Sequence, residues 1–162
     1  MGKSIVDNIN IIWIGPASLR ACHLYSIMSI NKVYGIKPTL WVSEYEPTEV
    51  IANLVNVKEI PHEFDNLLSK SHVTTKSDFH RLNILYMYGG AYFDTDIIHY
   101  RPIDVLLNSA SLTIGFEHEC NSDKIKYNNG VLLSTPYNPH LKGIMSVVMN
   151  KLRIFGGNPP YA

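Results

Sequence analysis

Residues 77–104 read SDFHRLNILYMYGGAYFDTDIIHYRPID, and the rest of the chain can be ordered around them. Phe79, Leu82, Leu85 and Tyr86 recur at helical spacing, which predicts an amphipathic helix with Ser77 as its N-cap. Gly89 and Gly90 end that helix, because its C-terminus needs a residue that accepts positive φ and glycine does so without a Cβ clash. Ala91, Tyr92 and Phe93 are strand-like, so Asp94 and Asp96 fall at or just past the C-terminal end of a short strand. Residues two apart in an extended chain point the same way. Both carboxylates are therefore expected to face one site.

Two converging carboxylates repel each other unless a cation lies between them. A hard divalent ion with oxygen ligands, Mg²⁺ or Mn²⁺, suits such a pair and completes its shell with a substrate phosphate. The Asp94-Thr95-Asp96 triplet is not specific by itself, since solvated aspartates at a strand end read the same way. Its surroundings sharpen it. Asp78 and Arg81 are three apart on the preceding helix and share a face.

The whole pattern runs Asp78-x-x-Arg81, then Gly89-Gly90-x-Tyr92-x-Asp94-x-Asp96, then Arg101-Pro102-x-Asp104. It resembles the metal-dependent glycosyltransferases with a DxD-containing sugar-binding region. That family includes the yeast initiating α-1,6-mannosyltransferase, the α-1,4-galactosyltransferases and the glucosylating domains of large clostridial toxins. The resemblance implies an α/β, single-domain, GT-A-like nucleotide-diphospho-sugar transferase fold with a mostly parallel central sheet flanked by helices. It also implies a divalent metal, Mn²⁺ or Mg²⁺, and hexose transfer with retention at the anomeric carbon. The donor would be a UDP-sugar first and GDP-mannose next, and the acceptor a glycan, a lipid-linked sugar or a protein hydroxyl.

Carried over residue by residue, the resemblance places Asp78 and Arg81 on the donor sugar and diphosphate and Tyr92 beside the nucleoside. Asp94 would touch ribose and sugar hydroxyls directly or through the metal, and Asp96 would be the direct metal ligand. Trp13-x-Gly15 matches the family's opening Trp-x-Gly, where an aromatic stacks on or lines the base pocket. A plain core tryptophan is the competing reading. Asn128 and Asn129 are both candidates for the asparagine that faces the donor sugar, although Asn-Gly is also a favoured turn dipeptide.

Composition narrows the alternatives. The 162 residues suit one domain, with 46% apolar and 17% charged residues. A chain of this size buries roughly 70% of its unfolded surface. Net charge is zero and the pI is near 7.1, so nothing in the charge balance points to nucleic acid or an anionic membrane. Cys22 and Cys120 lack CxxC spacing and read as small buried residues in a reducing compartment. The early apolar run is six residues and no segment reaches eighteen. Family members of the Golgi carry a membrane anchor, so a cytoplasmic protein or a shortened chain is expected.

Asn10–Gly15 reads as a buried first strand, and residues 16–34 as a helix with Pro16 in its first turn. Thr39–Ser43 reads as a second strand, making a βαβ unit that binds ligands beyond the strands' C-terminal ends. A short helix is expected over 48–55, a third strand over 57–61, a strand over 111–118, a turn then a strand over 127–136, and an amphipathic helix over 140–153. His62 and His72 have no partner pattern that would make a zinc site. Glu117, His118 and Glu119 form an acidic cluster, with Asp123 shortly after, that reads as a solvated strand end or as an aid to metal or acceptor binding, the first being favoured. The tail 155–162 resembles the family's Gly-Pro loop. In larger relatives more chain follows and supplies a further ligand, so residues 1–162 are expected to be a catalytic domain cut short or completed by a partner.

Two other classes fit part of the pattern. Phosphohydrolases of the DxD type place their aspartates after the first strand, whereas here they follow a helix and a Gly-Gly turn. A non-catalytic nucleotide-sugar-binding module would keep the donor site without transfer.

Overall fold

A computed structural model describes residues 7–103, 111–118 and 125–156. The first βαβ unit is β1 (Ile9–Trp13), α1 (Ala21–Tyr34) and β2 (Thr39–Val42). After it come α2 (Glu49–Ala52), β3 (Asn56–Glu59), a 3₁₀ turn (His62–Phe64) and α3 (Asp65–Leu68). The central run is α4 (Val73–Tyr88) and β4 (Gly90–Phe93), and β5 (Leu112–His118), β6 (Ile125–Ser134) and α5 (Pro139–Phe155) complete the chain.

The strands form one sheet in the order β3-β2-β1-β4-β6-β5. β1 pairs in parallel with β2 and β4, and β2 with β3, while β6 runs antiparallel to both β4 and β5. This is the mostly parallel α/β sheet expected, closed on one side by an antiparallel hairpin. Asn10 locks the centre. Its amide nitrogen donates to the carbonyls of Gly89 and Ala91, and its oxygen accepts from the Trp41 indole at 2.9 Å. A buried amide satisfied on both sides ties β1 to β4 and β2 together.

Helices cover both faces. On one, Ile27 and Ile30 of α1 meet Ile11, Leu40, Phe93 and Leu133. On the other, Ile84 and Leu85 of α4 and Leu141 of α5 meet Ile12, Trp41, Tyr92 and Leu132. The α4–β4 junction is tight because Gly90 has φ +96° and a Cβ there would lie 2.1 Å from the carbonyl oxygen of Asn8. Only glycine lets these two backbones approach so closely.

Several expectations are corrected. α4 begins a turn before Ser77, at Val73. Nδ1 of His72 accepts from the Thr74 amide as the N-cap, so Ser77 is an interior helix residue. α1 begins at Ala21 and Pro16 lies in the preceding loop, outside the helix. Cys22 is exposed rather than buried, because the inward stripe of α1 passes through Ser26, Ile27 and Ile30. Asn128-Asn129-Gly130 lies inside β6 and makes no hairpin turn. Cys120, Asp104, the acidic residues at 119 and 123 and the tail from 157 lie outside the described residues, as do the side chains of Glu117 and His118. Among the described residues, no helix is long and apolar enough to cross a membrane.

Candidate active site

Arg81 is the hub of the site. It is 5% exposed on α4, with Nη2 3.1 Å from Asp78 Oδ1 and Nη1 3.2 Å from Asp94 Oδ1. Nη1 also donates to the Asn129 carbonyl at 2.8 Å and to its side-chain oxygen at 3.0 Å. The guanidinium lies 4.7 Å above the centre of the Tyr92 ring. A buried cation is tolerated only when paired and hydrogen-bonded, and the planar fork of arginine satisfies several acceptors at once. The (i, i+3) pairing of Asp78 with Arg81 is the one the sequence spacing predicts.

Asp94 is held from below. Tyr92 donates its phenolic hydrogen to Asp94 Oδ1 at 2.7 Å, and burial pushes the Tyr92 pKa well up, so that it stays a donor. The Asp94 amide donates to the Gly130 carbonyl at 2.9 Å. The chain then turns, with the Ile97 amide reaching the Asp94 carbonyl at 3.3 Å. Asp94 and Asp96 line one cleft, but the turn brings them there. The extended geometry assumed from their spacing is not what does it.

Asn129 arrives through an irregularity in the sheet. Ile114 of β5 pairs with Leu132, yet the next residue, Gly115, pairs with Asn128. β6 therefore carries extra residues, Asn129, Gly130 and Val131, that β5 does not match. Val131 keeps its pairing with Phe93 of β4, so the bulge leans on the strand that leads to Asp94. Bulges of this kind re-aim side chains beside functional sites. Here Asn129 donates to Asp78 Oδ1 at 3.0 Å as well as accepting from Arg81, and Asn128 Oδ1 accepts from the Gly130 amide at 2.6 Å.

Gly130 is the site residue that sequence reasoning passed over. A Cβ there would lie 2.8 Å from Asp94 Oδ2 and 2.9 Å from Asn128 Oδ1. The glycine of Asn-Asn-Gly was the available signal, but a turn explains that glycine equally well. Because Asp94 is fastened to Arg81 and Tyr92, it cannot move aside without loss. If the cleft binds a nucleotide with a divalent ion, Gly130→Ala is expected to weaken that binding roughly tenfold with the fold retained; calorimetric titration of the nucleotide with Mn²⁺ checks this, and unchanged affinity would show that the Oδ2 side of Asp94 is not used.

The cleft has a volume of about 350 Å³ and opens beyond the C-terminal ends of β1 and β4. Trp13, Ser77, Arg81, Tyr92, Asp94 and Asp96 are on its wall. Trp13 donates its indole hydrogen to the Ala17 carbonyl at 2.5 Å and packs against His23, ring centres 4.6 Å apart. Gly15, at φ +92°, donates its amide to Ser43 Oγ at 3.0 Å and so fastens the end of β1 to that of β2. Asp78, Asn128, Asn129 and Gly15 are not on the cleft wall. The first and third of these act on it through Arg81.

The donor set fits a hard divalent ion. Both candidate ligands are carboxylates, Asp96 is exposed on the cleft, and Oδ2 of Asp94 faces the space that a Cβ of Gly130 would fill.

A second pocket of about 340 Å³ adjoins the cleft at Ile14 and is lined by Ser43, Glu44, His62, Asp65, Lys76 and His80. His62 sits exposed between Glu59 (3.0 Å) and Asp65 (2.9 Å), whose hydrogen bonds raise its pKa, while His72 caps α4. His80 is 4% exposed, and burial lowers its pKa from 6.5 to about 4. The unfolded chain therefore binds the proton more readily than the native one, and stability falls as pH drops from 6.5 towards 4. The loss from this residue is about 3 kcal/mol once the pH is below both values. Urea unfolding across that window should show His80→Gln with a flatter pH dependence than the native chain; parallel curves would mean His80 is not buried neutral.

The fold is that of solved glycosyltransferases. The chain superposes on the PaToxG glycosyltransferase with a TM-score of 0.63 at 18% identity, covering 93% of this chain and 62% of that one. It superposes on a double cysteine-to-serine transferase mutant with 0.61 at 11% identity, covering 92% and 79%. Against the apo form of the glycosyltransferase GlyE from Streptococcus pneumoniae TIGR4 the values are 0.56, 13%, 90% and 38%. The chain thus spans less than two thirds of the length of PaToxG. Comparison with curated proteins gives no significant sequence match. Residues 19–113, more than half of the chain, match the glycosyltransferase sugar-binding region containing the DXD motif. The chain belongs to that family.

Proposed function

We propose that the chain is a metal-dependent, retaining hexosyltransferase. It takes a hexose from a nucleotide-diphospho-sugar, a UDP-sugar first and GDP-mannose next, and delivers it to a glycan, lipid-linked or protein hydroxyl. The observation that carries this reading is the convergence of Asp94, Asp96 and Arg81 on one cleft beyond the carboxyl ends of parallel strands, where open α/β sheets bind their ligands.

The reaction breaks the bond between the anomeric carbon and a nucleoside diphosphate, and negative charge grows on the leaving phosphate. Asp96 and Asp94 would hold Mn²⁺ or Mg²⁺, which when bound supplies Lewis-acid stabilisation of that charge. Arg81 adds a fixed positive charge in the same cleft, already oriented by Asp78, Asp94 and Asn129, so little reorganisation accompanies the reaction. Tyr92 keeps Asp94 in place from beneath, and Trp13 offers an aromatic surface for the base. The acceptor hydroxyl attacks from the face the diphosphate leaves and gives its proton to a leaving-phosphate oxygen.

The test is hydrolysis of UDP-glucose, UDP-galactose, UDP-N-acetylglucosamine and GDP-mannose without acceptor, with Mn²⁺ and with EDTA. Mn²⁺-dependent release of one nucleoside diphosphate supports the reading. Nucleotide binding without any turnover would make the chain a nucleotide-sugar-binding module.

A further inference from the structure

We propose that Phe116 and Tyr127 form a stacking platform for a saccharide acceptor at the rim of the cleft, an inference that rests on the transferase reading above. The two residues are directly paired across β5 and β6. Opposite residues in an antiparallel pair leave the same face of the ribbon, with Cβ atoms about 5 Å apart. The two residues are 66% and 80% exposed. Adjacent exposed aromatics make a contiguous apolar surface, the kind of feature from which ligand-binding sites are built.

The hairpin's position says what that surface serves. β6 runs antiparallel to β4, and Gly130 lies against Asp94, where β4 ends. The residues before Gly130 therefore continue beyond the carboxyl edge of the parallel strands, the edge at which the cleft opens. Tyr127 precedes Gly130 by three residues, within about 10 Å along the strand. That is the reach of a short oligosaccharide whose end sits at the reacting centre. Asn129, which binds Arg81, and Asn128, which accepts from the Gly130 amide, link the aromatic pair to that centre along one strand.

Two rings also limit the occupant. A stable protein interface covers about 800 Å² on each partner, far more than this pair offers. The apolar C–H face of a pyranose ring matches one or two aromatic faces, and its hydroxyls stay in water or reach neighbouring polar groups, the division that aromatic side chains at wet interfaces serve.

The experiment measures two activities on each variant: donor hydrolysis without acceptor, and transfer to free maltose, lactose, chitobiose and mannobiose, with saturation-transfer NMR for direct saccharide binding. Phe116→Ala and Tyr127→Ala are expected to raise the acceptor KM roughly tenfold while hydrolysis of the donor stays within about twofold of the native rate. Tyr127→Phe should keep most of the affinity, since the ring remains. Tyr137→Ala, 64% exposed but past the opposite end of β6, should change neither. Unchanged acceptor KM with native hydrolysis overturns the platform and leaves the transferase reading standing. So does hydrolysis without transfer to, or binding of, any of these saccharides. Absence of donor hydrolysis in the native chain overturns the transferase reading and the platform with it.

Discussion

Asp96→Asn is expected to cut donor turnover by roughly a thousandfold while the protein stays folded. The substitution keeps the side chain's shape and removes the charge that would hold the metal. Asp96 is exposed on the turn after β4, so its loss should shift stability by no more than about 0.5 kcal/mol. Turnover and thermal unfolding measured on one preparation separate the two effects. EDTA should bring the native protein down to the variant's level and should not lower the variant further. A variant with native turnover, or one still sensitive to EDTA at native strength, would remove Asp96 from the metal site.

Arg81→Lys is expected to lose both stability and activity, because Arg81 is buried among the residues of the cleft and carries the positive charge that the proposed reaction uses. Its side chain is 6% exposed and reaches Asp78, Asp94, both oxygens of Asn129 and Ser77. Lysine carries the charge as a point and cannot meet these acceptors in one plane or lie flat on Tyr92. Asp94 is 37% and Asp78 26% exposed, so water screens part of the loss, and a cost of about 2 kcal/mol is expected. Turnover should fall about a hundredfold, since a displaced Asp94 loses the orientation on which the cleft depends. Chemical denaturation paired with donor kinetics tests both. If Arg81→Lys is as stable and active as the native chain, the fork geometry is unimportant and Arg81 is only a counter-charge for Asp78.

The parts of this architecture that were legible in the sequence are those set by local rules. Apolar runs and helical periods located β1, β2, α4 and α5. The glycine pair fixed the α4–β4 junction, where φ +63° and +96° leave no other residue comfortable. The three-residue spacing of Asp78 and Arg81 gave their contact. What was not legible depends on pairing between distant strands. Asn128-Asn129-Gly130 has the chemistry of a turn, and it becomes a bulge only because Val131 pairs with Phe93 on one side while β5 changes register on the other. The burial of Arg81 over Tyr92 likewise needs α4 to lie on β4, which no local spacing states. The start of α4 was misplaced because Ser77 is a good cap by type, whereas His72 caps by its ring nitrogen, a less common donor-acceptor arrangement.

The most direct measurement of the central claim is a thermal-shift screen of UDP, GDP and their sugar conjugates, each with Mn²⁺ and with EDTA. A ligand present at a hundred times its dissociation constant adds about 2.7 kcal/mol to native stability, a shift that is easily read. A rise with one nucleotide family that appears with Mn²⁺ and vanishes with EDTA is the predicted result, and it names the base. No rise with any nucleotide under either condition would contradict a donor site built from Asp94, Asp96 and Arg81.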